Sequence, residues 1–127
     1  MNLEKVVFSF VVLLAATLNF GFFLGDIADP RVHSPWELYA AVVVNIIALV
    51  LKFGDRTQIG AIHLATSLVA VLQLVSAASF LTYWQSQEGE ISVRAISTVV
   101  SLSGGALLAN LVSIALLVIE TISFQRR

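Results

Sequence analysis

Each of four long apolar stretches in this 127-residue chain carries one carboxamide: Asn19, Asn45, Gln73 and Asn110. A carboxamide has two N–H donors and an oxygen with two lone pairs, so inside hydrocarbon it must find a partner on another helix or face water. The amides can therefore act as glue between helices, worth on the order of 0.6 to 2 kcal/mol per contact, or line a hydrated path. Asn45, Gln73 and Asn110 fall near mid-stretch and are expected to meet inside a bundle, whereas Asn19 lies nearer one end.

The third stretch adds a polar and small stripe at helical spacing, formed by His63, Thr66, Ser67, Ala70, Gln73, Ser76 and Ala77. Ile62, Leu68, Val69, Leu72 and Val75 form the opposite face. Such a stripe must face protein or water, and periodicity does not separate packing from a pore wall. His63 is the one histidine within a stretch; it suits a helix-packing hydrogen bond or a pH-sensitive, ion-contacting role.

The fourth stretch repeats a small residue at every fourth position: Ser97, Ser101, Gly105, Ala109 and Ser113, with Gly104 beside the middle one. Small residues on one ridge let helix backbones approach closely, so this ridge is expected to be a helix contact. The spacing leaves open whether its partner is the first stretch or a neighbouring copy.

Catalytic signatures are few. G-x-S-x-G, H-E-x-x-H, a glycine-rich phosphate loop and the T-V-G-Y-G potassium filter are all missing from the sequence. With no cysteine, thiol chemistry and thiolate metal sites are excluded, and His33 and His63 are assigned to opposite membrane faces. No enzyme activity, cofactor, metal site or nucleic-acid partner is expected. No Asp, Glu, Lys or Arg lies mid-stretch; Lys52 and Glu120 fall near stretch ends, where they can snorkel or pair. The small multidrug transporters are comparable in size and span count, but where their first helix carries a glutamate this chain has Leu13-Leu14-Ala15.

The elements that must position these residues follow from composition. Hydrophobic residues make up 58% of the chain and charged ones 12%, more apolar side chain than a soluble domain of this size buries. The expected fold is all-α, a single domain of four transmembrane helices spanning about 6–24, 36–53, 57–84 and 92–124, each long enough for a hydrocarbon core that takes roughly 20 helical residues. Gly25 is placed to end the first span, while Ser34, Pro35 and Glu37 are placed to start the second. Gly54 ends the second span, and Asp55 with Gln58 has the spacing to cap the third, making a tight helical hairpin.

Lys5, Lys52, Arg56, Arg126 and Arg127 fall on one side and only Arg31 and Arg94 on the other. Basic residues concentrate in cytoplasmic connections, so both termini and the Gly54 turn are expected in the cytoplasm. The opposite side collects Asp26, Asp29, Glu37, Glu88 and Glu90, as an acidic rim that draws cations or as a consequence of that same asymmetry.

The segments Leu18-Asn19-Phe20-Gly21-Phe22-Phe23, Lys52-Phe53-Gly54-Asp55-Arg56-Thr57-Gln58-Ile59-Gly60 and Leu64-Ala65-Thr66-Ser67-Leu68-Val69 resemble a family of small bacterial four-span membrane proteins of unassigned function. The resemblance implies a bacterial inner membrane and supplies no activity. Sequence therefore points to a homo-oligomeric assembly in the lipid bilayer that makes, or attaches to, a small-ion path. The alternative is an accessory or scaffold subunit of a larger membrane channel or transporter.

Overall fold

Glycine ends the first two helices. Gly25 (φ 104°) and Gly54 (φ 91°) adopt the left-handed conformation that closes a helix C-terminus. The computed structural model describes residues 3–25, 33, 35–55, 57–88 and 92–125. Four helices make up the fold: α1 (Leu3–Phe23), α2 (Pro35–Lys52), α3 (Gln58–Glu88) and α4 (Val93–Gln125). Asp26, Asp29, Arg31, Ser34, Arg56, Glu90, Arg126 and Arg127, which enter the charge asymmetry and the expected cap of the second span, lie outside the described residues.

The cap of α3 differs in detail from the sequence expectation. Thr57 stands immediately before the first helical residue, and its hydroxyl accepts the Gly60 N–H at 3.0 Å. Asp55 supports it one step back, its Oδ1 accepting both the N–H (2.9 Å) and the O–H (2.8 Å) of Thr57. Those bonds, chiefly the one from the Thr57 N–H, hold the Asp55 carboxyl below its ordinary range, and the Lys52 ammonium at 3.5 Å adds to the effect. Ser92 caps α4, its Oγ accepting the Ala95 N–H at 3.2 Å.

α3 runs past the expected end at Trp84 because Tyr83 and Trp84 mark the depth of the membrane interface, not a helix stop. The polar Gln85-Ser86-Gln87 segment continues the helix, with the Ser86 hydroxyl donating to the Tyr83 carbonyl.

All four helices are long and apolar enough to cross a membrane. Each packs against its chain neighbours, and α1 closes the ring against α4, so the bundle runs up-down-up-down. Outward faces are apolar, with Phe10, Val50, Leu72 and Leu108 all well exposed, as a lipid-facing surface requires. The Gly54 turn, the start of α1 and the end of α4 share what we call the hairpin end; residue 33, the end of α3 and the start of α4 form the loop end.

Two apolar clusters fill the interior. One, towards the loop end, is built on Phe22, Leu38, Leu74, Leu81, Ile96, Val99 and Val100. The other, at the hairpin end, consists of Phe8, Val11, Val12, Ala48 and Leu117. On α1, α2 and α4 the buried Asn19, Asn45, Asn110 and Ser113 fall between members of the two clusters, which makes a polar layer across the bundle.

Candidate site: a buried polar layer with an ionisable cluster beneath it

Asn19, Asn45, His63, Ser67 and Asn110 are buried, and Thr66 and Gln73 are half-buried. Asn19 lies on the inner face of α1 opposite α4. Oriented to satisfy both its ends, its amide nitrogen donates to the Ser103 carbonyl at 3.0 Å and its oxygen accepts the Leu107 N–H at 2.9 Å. Those two backbone groups are i and i+4 in α4, so one side chain clasps a full helical turn of its neighbour. This contact satisfies both ends of a buried amide, which is costly to leave unpaired.

The other amides behave differently from the expectation that they meet. No hydrogen bond among the described residues joins Asn45, Gln73 and Asn110 to one another. Asn45 Nδ2 donates back along its own helix to the Ala41 carbonyl at 2.7 Å, and its Oδ1 is buried without a partner. Gln73 turns towards α4, where its Oε1 is also buried and unpartnered. Asn45 and Asn110 are buried in the bundle and Gln73 is half-buried, so the three share its interior without pairing with one another.

The small-residue ridge of α4 divides along its length. Ala109 and Ser113 are buried, Ser97 and Gly105 half-buried, and Ser101 exposed. Gly105 sits against the Gln73 carboxamide and Ser113 bonds Thr66 hydroxyl to hydroxyl at 2.5 Å. The contacts of this ridge within the chain at Gly105 and Ser113 are therefore with α3, where the first stretch had been one of the two candidates. Gly104, next along, faces the Phe23 ring of α1. The Gly104-Gly105 pair thus lets α4 close on two neighbours at one level.

Beneath the polar layer, at the hairpin end, lies a cluster that sequence reasoning left scattered. Glu120 Oε1 accepts from the Lys5 ammonium at 2.7 Å, joining the first and last helices. Its Oε2 is buried, without a hydrogen-bond partner, and 3.9 Å from His63 Nε2. His63 is fully buried and neither ring nitrogen has a hydrogen bond. Its ring meets the Phe8 ring edge-on at 5.1 Å, and the Lys52 ammonium rests 4.2 Å from the centre of that same Phe8 ring. A cavity of about 470 Å³ bordered by Lys5, Phe8, Lys52, Asp55 and Glu120 opens beside it.

The sequence signal for this cluster was present but weak. Lys5 and Glu120 are opposite charges at matching depths from one membrane face, and His63 lies within two turns of the start of α3. Only adjacency of α1 to α4 and of α3 to α4 makes them neighbours. Among the described residues no group of three His, Cys, Asp or Glu side chains is placed to hold a metal. His33 lies at the loop end, where its Nδ1 contacts the Phe22 carbonyl.

The model of a family of unknown function, DUF6394, matches residues 32–121. The chain belongs to that family. The DUF6394 match takes in all of α2 and α3 and most of α4, and so includes His63, Gln73, Gly105 and Glu120, while Lys5, Phe8 and Asn19 of α1 precede it. No curated protein and no solved structure is similar enough to match the chain.

Proposed function

We propose that this chain is a non-enzymatic subunit of a homo-oligomeric assembly, resident in a bacterial inner membrane with both termini cytoplasmic, that forms or attaches to a path for small cations. The observation that carries this reading is the succession of buried polar side chains inside an otherwise apolar bundle. It begins with the half-buried Glu120 and the buried His63 at the hairpin end and passes through Ser67, the half-buried Thr66 with its partner Ser113, Asn45 and Asn110 to Asn19 and Ser103. Hydrocarbon supplies no hydrogen-bond partners, so polar groups kept at such depth mark either helix pairing or an ion route. Asn45 Oδ1 and the ring nitrogens of His63 are buried with their pairing capacity unused, which favours the route. Interior alanines, among them Ala15, Ala41, Ala70 and Ala106, draw the helices close, so a route here is narrow and suits a proton or a stripped cation.

The experiment is reconstitution. Purified protein is placed in liposomes, its oligomeric state is measured, and proton and potassium fluxes are followed with dyes under an imposed potential. We expect cation flux above that of empty liposomes and its reduction by Asn110→Leu. Absence of flux together with co-isolation of a larger channel or transporter would replace this reading with that of an accessory subunit.

A further inference from the structure

We infer that His63 and Glu120 together form a proton-binding site, fed from the cavity at the hairpin end; this rests on the cation-path reading and names its cation as the proton. Glu120 is the link between water and the interior. It borders the cavity of about 470 Å³ on one side of Lys5 and a second, of about 390 Å³, on the other. One carboxylate oxygen is held by Lys5, and the other is turned inward, buried and unpartnered, towards the histidine.

His63 is built as a receiver. A neutral imidazole has one N–H donor and one bare nitrogen acceptor, and here both are buried without partners. Low polarity makes such orphaned groups expensive, so the site is under-satisfied as it stands. The gap of 3.9 Å between Nε2 and Oε2 exceeds a hydrogen bond by about 1 Å, a distance that rotation of the Glu120 side chain closes.

The proton balance is simple. The Glu120 side chain turns its Oε2 out to the cavity, where a hydronium gives up a proton and leaves as water, then turns back and passes that proton to His63 Nε2. An O–H bond forms and breaks, an N–H bond forms, and nothing is oxidised or reduced. Glu120 is left anionic between two cations, the Lys5 ammonium and the imidazolium.

The charged neighbours favour a proton over a metal ion. α1 presents Glu4 and Lys5 to the cavity, α2 presents Lys52, and the turn presents Asp55. A lysine ammonium 2.7 Å from one carboxylate oxygen repels a bound metal cation, whereas a proton shared by His63 and Glu120 adds no large ion to the site. Lys52 rests over the Phe8 ring that packs edge-on against His63, and pairs with Asp55 at 3.5 Å.

The test is nitrogen NMR of the histidine rings of the full chain in nanodiscs, with His63 assigned by comparison with His63→Gln. The titration runs from about pH 8 down to about pH 4, and His63 is expected to pass from a singly to a doubly protonated ring within it. In Glu120→Gln, which keeps the shape of the side chain but not its charge, the midpoint is expected to move to lower pH by about one unit or more. Lys5→Gln, which frees Glu120 for His63, is expected to move it the other way and serves if Glu120→Gln does not fold. A His63 ring that keeps a single proton across the range, or midpoints unmoved in both variants, would overturn the site. Proton flux in liposomes separates the two readings. A titrating His63 in liposomes that pass no cation leaves the site standing and removes the path. Potassium flux unaltered in His63→Gln keeps the path and removes the proton.

Discussion

The carboxamide of Gln73 on α3 lies directly over the α-carbon of Gly105 on α4. A Cβ at Gly105 would stand 2.6 Å from Gln73 Oε1 and 2.7 Å from Nε2. The contact involves the free end of a flexible side chain, so a methyl group can displace it, while a larger group cannot be accommodated without moving α3. Gly105→Ala is therefore expected to be close to neutral in thermal unfolding in detergent, since removing a helical glycine regains about 1 kcal/mol of propensity. Gly105→Leu is expected to lower the unfolding temperature clearly and to disturb the size-exclusion profile. Leu108→Ala, at a side chain that faces outward, is the mild control.

Asn19 ties α1 to the backbone of α4 through both ends of its amide. Replacing it with leucine, similar in volume but without polar atoms, should cost on the order of 1 kcal/mol in detergent, the range measured for interhelical hydrogen bonds in membranes. Phe20→Leu, one residue along and exposed, should cost much less. Equal stability of Asn19→Leu and the parent chain would show that the clasp contributes nothing.

Asp55 and Thr57 together start α3, and loss of either side chain by substitution with alanine should destabilise the hairpin by about 1 kcal/mol, as loss of a helix cap does. The pH dependence has a definite sign. The folded carboxyl titrates below its ordinary value of 3.8, so its contribution is present above that pH and fades as pH falls through the lower folded value. The stability difference between the parent chain and Asp55→Ala should therefore be flat near neutral pH and shrink only below pH 3.8.

Lys5 and Glu120 lie at the ends of the chain in sequence and 2.7 Å apart in space, with side chains 36% and 25% exposed. Partial exposure limits the value of the pair, so a double-mutant cycle with Lys5→Met and Glu120→Gln should give a coupling of about 1 kcal/mol or less. Added salt should reduce it. A coupling of zero at low salt would show that this pair adds nothing to the hold between the first and last helices, leaving it to packing and the Asn19 hydrogen bonds.

Sidedness can be read from single cysteines because the chain contains none of its own. Trp36 and Phe53 stand at opposite ends of α2 and are 82% and 78% exposed, so the bundle shields neither position from a membrane-impermeant thiol reagent. In intact cells Trp36→Cys should be labelled and Phe53→Cys protected. The reverse pattern would invert the orientation drawn from the basic residues.

Sequence alone determined that four apolar helices make up this chain, where each begins and ends within a few residues, and that glycines close the first two. Those properties depend on local composition and on groups a few residues apart, and bilayer thickness supplies a ruler for span length. It also determined which polar side chains stand at depth, since any amide or hydroxyl within an apolar stretch is visible at once. What those side chains touch was decided only by tertiary structure. Asn45, Gln73 and Asn110, expected to meet, form no hydrogen bond with one another among the described residues, and within the chain the α4 ridge meets α3 at Gly105 and Ser113. Lys5, His63 and Glu120, spread over 115 residues between the first and last of them, gather because α4 packs between α3 and α1. Helix rotation and neighbour order depend on how whole faces fit, and in a membrane that fit is a matter of close packing and hydrogen bonding, with little help from hydrophobic burial. Periodicity names the face a residue occupies; only the assembled bundle says which helix that face meets.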